Sequence, residues 1–223
     1  STPMRYDWRD AIAADPGTRP YFEEIDRRFF EAVRPILPWG AVPFDRLIPF
    51  DTLHGHDVLE IGVGQGSHAQ LMAPRCGSFT GIDLTSAAAE MTSRRLALFG
   101  LPGTVRQMDA ETMDFRDGSF DYIWSWGVVH HSADTSRVLK EMNRVLRPGG
   151  RCTVMVSFRS WWVFYVCGLL RRLFVQRDKA NLHRIAQGAT DGAIARWYSK
   201  ADWRGVTAGL FDVTAMQIYG LKT

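Results

Sequence analysis

Two adjacent imidazoles, His130 and His131, close the run Ser125-Trp126-Gly127-Val128-Val129-His130-His131. A histidine side chain has an ordinary pKa of about 6.5, so either ring can take a proton at neutral pH. The pair can equally organise its own loop by hydrogen bonding, and both roles stay open. Further upstream, Asp57-Val58-Leu59-Glu60-Ile61 runs into Gly62-Val63-Gly64-Gln65-Gly66-Ser67-His68. Glycines at alternate positions allow positive φ and leave room for a ligand close to the backbone. Asp83, in Ser78–Leu84, is placed to accept hydrogen bonds from a ribose diol. Asp109, in Met108-Asp109-Ala110-Glu111, could meet the exocyclic amine of an adenine. The chemistry implied is a nucleoside-bearing ligand beside a group that can accept a proton.

These residues need strands to carry them. Val58 to Ile61 is an apolar run suited to a buried parallel strand, and Ser67 to Ala73 reads as the helix after the glycine turn. Ser78–Leu84, Gly103–Gln107, Asp121–Ser125 and Arg151–Ser157 read as further strands. Ala87–Phe99 and Thr135–Leu146 read as the helices between them. This alternation predicts a parallel sheet, at whose carboxyl edge every acid and histidine named above would stand. Phe211–Tyr219 is expected to be a sixth strand.

The ordered set E-x-G-x-G-x-G, G-x-D-L, D-A-E, F-D-x-I-W-S-x-G-V-V-H-H and E-M-x-R-V-L-R-P-G-G resembles the class I S-adenosylmethionine-dependent methyltransferases. It looks most like their type 11 group, which includes relatives of ubiquinone/menaquinone C-methyltransferases. The resemblance is strong over 53–158 and loose outside. It implies an α/β fold, Rossmann-like and doubly wound, with a mostly parallel sheet and helices on both faces. It implies S-adenosyl-L-methionine as cofactor, S-adenosyl-L-homocysteine as product, and no metal. The donor neighbours it implies are Glu60, Gly62, Gly64, Gly66, Ser67, Asp83, Leu84, Asp109, Ala110, Glu111, Ser125 and Trp126. The family sheet normally has seven strands, and the sequence offers no clear seventh.

One domain is expected over 1–223: a helical N-terminal cap or lid at 1–50, the cofactor-binding core at 53–158 and an aromatic-rich insertion at 159–210. In the cap, Phe22, Ile25 and Phe29 share a helical face. In similar methyltransferases such a segment covers the site, which nominates Tyr21 and Phe22. The insertion carries Trp161, Trp162, Phe164 and Tyr165, flanked by arginines, and is too short to span a bilayer, which takes about 20 apolar residues. It reads as a buried helix, an apolar pocket wall or a membrane-interface segment. Asp191–Ser199 is expected to open a short helix, and Ser199 to cap the next one, Lys200–Leu210. Arg196, Trp197 and Tyr198 fall where relatives place substrate-facing residues, with Arg196 available for an anionic or carbonyl group. The expected acceptor side is thus Tyr21, Trp162, Arg196, Trp197 and Tyr198.

Charge and composition narrow the partners. The 223 residues carry a net charge of +3, too little for a basic stripe, so a small-molecule acceptor is expected rather than nucleic acid. Peripheral membrane contact is conceivable but not favoured, and the pattern says nothing of oligomeric state. Cys76, Cys152 and Cys167 are scattered, which suits a reducing cytoplasm. The opening residues do not read as a signal peptide. The expected reaction is methyl transfer to a hydroxyl of a secondary metabolite, sugar or quinone-like compound. C- or N-methylation of a lipid-like acceptor is the alternative, as is a cofactor-binding relative without turnover. A nicotinamide oxidoreductase is a weaker fit, since its fingerprint puts two residues before the last glycine.

Overall fold

The computed structural model describes residues 11–37, 39–159 and 195–219. Five strands, β1 (Asp57–Ile61), β2 (Ser78–Asp83), β3 (Thr104–Gln107), β4 (Phe120–Trp126) and β5 (Leu146–Met155), form one sheet in the order β3-β2-β1-β4-β5. Every pairing is parallel. The helices are α1 (Arg19–Val33), α2 (Ser67–Met72), α3 (Ser86–Leu98), α4 (Thr135–Val145) and α5 (Lys200–Thr207). The chain works outward from β1 to β3, then returns to add β4 on the other side of β1. That reversal opens a crevice beyond the carboxyl ends of β1 and β4, where ligands of such sheets sit.

Alternation along the strands divides the core between two faces. Val58, Tyr122 and Trp124 pack with Phe29, Phe44, Ala69, Met72 and Leu96 on the side of α1, α2 and α3. Leu59, Ile61 and Ile123 pack with Val138, Leu139, Met142 and Val145 of α4 on the other. Glu60 shares the parity of Val58, so its side chain is buried toward α2 instead of facing water. At the opposite end of the sheet, Arg147 bridges Asp57 at 2.8 Å and Asp121 at 2.5 Å, pinning β1 to β4.

The helix starts follow from their caps. Asp134 accepts from the Ser136 and Arg137 N–H groups at the head of α4. Ser199 and Asp202 form a reciprocal capping box on α5.

Several expectations need correction. Residues 147–150, expected to lie outside the strand read at Arg151–Ser157, form a bulge inside β5: Phe120 pairs with Leu146 and Tyr122 with Arg151, so the intervening residues bow out. Ala195–Ser199, the described part of the helix expected at Asp191–Ser199, is extended. It runs beside the end of β5 through a parallel bridge between Phe158 and Tyr198. Phe211–Tyr219 forms no strand and is largely exposed. Alternating apolar residues there signal a tendency, but a strand also needs a ladder partner. The aromatic stretch at 160–170, including Trp162, lies outside the described residues.

Candidate functional site

The glycine turn is held from below. Gly62, Gly64 and Gly66 all have positive φ, at 81°, 53° and 80°. A Cβ on Gly62 would stand 2.1 Å from Val128, and one on Gly66 would stand 3.0 Å from Thr92 and Arg95. The space expected to admit a ligand at these two positions is therefore taken by the protein's own packing. The Thr92 hydroxyl donates to Gly64 O at 3.1 Å and Arg95 donates to Gln65 O at 2.9 Å. Two successive carbonyls thus turn inward to α3.

Asp83 ends β2 beside this turn. It accepts from Gly64 N at 3.2 Å through Oδ2, and from the Thr85 backbone and hydroxyl at 3.0 Å through Oδ1. A carboxylate offers about four lone-pair sites, so Asp83 keeps capacity toward the crevice. Leu84 follows with 67% of its surface exposed, a large apolar side chain at the crevice rim. Asp109 is exposed after β3 and accepts from Glu111 N at 2.8 Å. Glu111 accepts from Asp134 N at 2.8 Å, so that carboxylate braces the start of α4. Ala110 packs against the second core cluster. Ser125 is buried and stitches β4 to Ile61 O of β1 at 3.3 Å. Ser67 is buried against Arg95.

Beneath the turn lies a polar pocket that sequence reading missed apart from Glu60. His68 Nδ1 is 3.5 Å from Glu60 Oε1, both side chains being almost fully buried. Burial pushes the Glu60 carboxyl well above its ordinary value, with Arg95 opposing and Asp83 adding to the rise. Burial also drives His68 down to about 3. The two are therefore a neutral pair and not a salt bridge. Aromatic rings enclose the imidazole: Phe44 at 4.7 Å, Trp124 at 5.3 Å, Phe29 at 5.4 Å and Trp126 at 6.0 Å. Glu60 Oε2, Gln65 Oε1 and Asp26 Oδ1 are buried acceptors without a hydrogen-bond partner in the protein.

The histidine pair occupies a tight turn, Val129–His131, just beyond β4. His130 is buried, its Nε2 lies 3.0 Å from Ser157 Oγ, and its Nδ1 is buried without a partner. Burial, aided by the neighbouring His131, lowers its pKa to about 3. His131 is half-buried, its ring centre 4.0 Å from that of His130.

The acceptor-side residues are placed differently from expectation. Arg196 N donates to His130 O at 2.9 Å, and its guanidinium donates to Ala133 O at 2.6 Å and to Ser132 O. It braces the histidine turn, and its charge is spent on those carbonyls. The Tyr198 hydroxyl donates to Thr135 Oγ1 at 2.9 Å inside the core. Tyr21 packs edge-on to Phe22 in a buried cluster with Ile25, as an apolar helix face prefers. Trp197 is half-buried, with its indole N–H buried and unpartnered. Trp126 sits among Phe44, His68 and Trp124.

Residues 59–154 match the family model described as a methyltransferase domain. Over this stretch the chain is similar to the class I S-adenosylmethionine-dependent methyltransferases. It is 35% identical over 151 residues to phosphatidylethanolamine N-methyltransferase of Cereibacter sphaeroides, covering 67% of this chain and 63% of that one. It is 32% identical over 125 residues to the ubiquinone/menaquinone biosynthesis C-methyltransferase UbiE of Geotalea daltonii, covering 51% of this chain and 53% of that one. The crystal structure of the YcgJ protein of Bacillus subtilis superposes with a TM-score of 0.55 at 25% identity, over 72% of this chain and 64% of that one. The chain spans 36–63% of the length of the curated relatives it matches.

S-adenosylmethionine is the methyl donor of this methyltransferase family, and the residues present fit it. Asp83 retains acceptor capacity of the kind a ribose diol would use, and Leu84 and Asp109 are exposed beyond the ends of β2 and β3. The unpartnered buried oxygens of Glu60 and Gln65 beneath the turn would suit an ammonium group, which brings three N–H donors and no acceptor. The family match also removes the nicotinamide alternative.

Proposed function

We propose that the protein transfers a methyl group from S-adenosylmethionine to a hydroxyl of a small molecule, such as a secondary metabolite, a sugar or a quinone-like compound. The donor supplies an electrophilic methyl on sulfur. A hydroxyl oxygen that takes this methyl must lose its proton. The observation that supports the reading is the imidazole pair at the carboxyl end of β4. His130, buried and neutral against Ser157, holds the turn. His131, half-buried beside it, is the ring assigned the role of proton acceptor. Glu60, Gly62, Gly64, Asp83 and Asp109 would surround the donor; Ser67, Glu111 and Ser125 serve it indirectly, through the contacts already described.

The acceptor is assigned to the space between the N-terminal cap and the segment after β5. Support comes from the described parts of both, which flank the end of β4. Phe44 meets Trp126 at 4.9 Å, and residues 196–198 bond to the His130 turn and to Ser157. A lipid-like acceptor methylated at nitrogen or carbon is the second reading. The names of the two relatives favour it, since one acts on phosphatidylethanolamine and the other in quinone biosynthesis.

Incubation with isotope-labelled donor and a metabolite extract tests both. Label on oxygen of a small product supports the first reading, and label on a lipid nitrogen or on ring carbon supports the second. Donor binding with no transferred label would leave a cofactor-binding relative.

A further inference from the structure

Arg95 is completely buried on the inner side of α3, and three other segments meet at its guanidinium. Nη1 donates to Gln65 O of the glycine turn at 2.9 Å, and Nε donates to Gln70 Oε1 of α2 at 2.7 Å. Nη2 pairs with Asp26 of α1. The cation also lies over the Phe22 ring of α1, 5.1 Å from its centre. Next to it, Thr92 holds the preceding carbonyl, Gly64 O. A guanidinium keeps its charge in a protein, and a buried charge stripped of its partner is strongly disfavoured. Undocking α1 would remove the counter-ion of the very group that fixes the turn.

We infer that Arg95 is a positioning residue for the methyl donor: it fixes the glycine turn while Asp26 of the docked N-terminal helix neutralises it, so helix docking and donor binding favour one another. This rests on the reading of the turn as the donor site. Coupling of this kind is reciprocal, so the donor must tighten α1 as much as α1 tightens the donor.

The test uses the full chain as wild type, Asp26→Asn, Arg95→Lys and Asp83→Ala. Calorimetry gives affinity for S-adenosylmethionine, and hydrogen exchange followed by mass spectrometry gives the protection of residues 19–33 with and without it. Asp26→Asn is expected to bind the donor about tenfold more weakly, within the usual range for coupled sites. The donor should slow exchange in α1 of the wild type and fail to do so in Asp26→Asn. Arg95→Lys keeps a charge for Asp26 but cannot span Gln65 and Gln70 together, so it should lose affinity while α1 stays protected. A role confined to stability would lower the melting temperature and leave both readouts unmoved. If Asp83→Ala binds weakly while Asp26→Asn and Arg95→Lys bind as wild type does, the coupling is overturned. If Asp83→Ala binds as wild type does, the donor-site reading fails instead. Should Asp26→Asn not fold, the donor's effect on α1 exchange in the wild type and the affinity of Arg95→Lys decide the matter, and no slowing of α1 by the donor overturns the coupling.

Discussion

His130 Nε2 and Ser157 Oγ stand 3.0 Å apart, joining the turn after β4 to the chain leaving β5. Burial keeps this imidazole neutral, and burial does the same to His68 beneath the glycine turn. Both pKa values fall from 6.5 to about 3 on folding. The unfolded chain therefore binds more protons between those limits. The stability these sites supply is complete above about pH 6.5 and is lost as pH falls toward 3, at up to about 1.4 kcal/mol per pH unit for each histidine. Urea unfolding at about pH 7 and about pH 5 should show the drop, and His68→Asn or His130→Asn should flatten it. A wild-type midpoint that does not move over this range would rule the account out.

Glu60 has the opposite sign. Its folded carboxyl stays protonated well above the ordinary value, so ionisation opposes folding as pH rises. Glu60→Gln keeps the shape and removes that liability. The variant should be more stable than wild type at pH about 8, and the advantage should shrink toward pH about 4, where both are neutral. It should also bind S-adenosylmethionine more weakly, since an ammonium beside Glu60 would draw off its proton and gain a counter-charge that an amide cannot supply. Thermal melts across pH check the first half, and calorimetry checks the second.

Asp83→Ala should weaken donor binding by about 1–3 kcal/mol, the worth of hydrogen bonds to a charged acceptor. Part of the loss would come from the Gly64 N–H left without its partner. Asp83→Asn, which still offers one acceptor oxygen, should lose less. Unchanged calorimetric affinity in Asp83→Ala would remove this residue from the site.

Gly62→Ala tests the close packing of β1 against the turn after β4. The added methyl meets Val128 at 2.1 Å, and φ of 81° costs any L-residue about 1–2 kcal/mol by itself. Val128→Ala in the same chain should recover the steric part and leave the backbone part. Full recovery in chemical denaturation would show that backbone strain at Gly62 is absent.

Arg147→Ala addresses the far end of the sheet. Its two ion pairs are partly exposed, and such pairs are worth about 1 kcal/mol or less each. A small, salt-sensitive loss of stability with donor affinity intact is expected. A large fall in affinity would mean that the two ends of β1 are linked.

The strands that carry the site were readable because local patterns set them. Val58–Ile61 is apolar in a way that suits burial on both faces, and Asp83 and the histidine pair follow directly from strand ends. Arg95 was not readable, although Ala89, Thr92 and Arg95 share one face of α3. An arginine in a helix rich in Ala and Leu looks like a solvent residue until Asp26, far away in sequence, arrives to neutralise it. His68 was hidden for the same reason, since the rings that enclose it come from α1, the cap and β4. Arg196 and Tyr198 were read as substrate-facing, but their side chains serve hydrogen bonds to Ser132, Ala133 and Thr135 that no spacing foretells.

The bracing of the histidine turn by Arg196 bears on how the protein could be re-engineered. Residues 195–198 hold the carbonyls of His130, Ser132 and Ala133 and the hydroxyl of Thr135. Swapping in the corresponding stretch from a relative to change the acceptor would also reset the pose of the two imidazoles. A successful graft therefore has to bring its own arginine or redesign the turn to match.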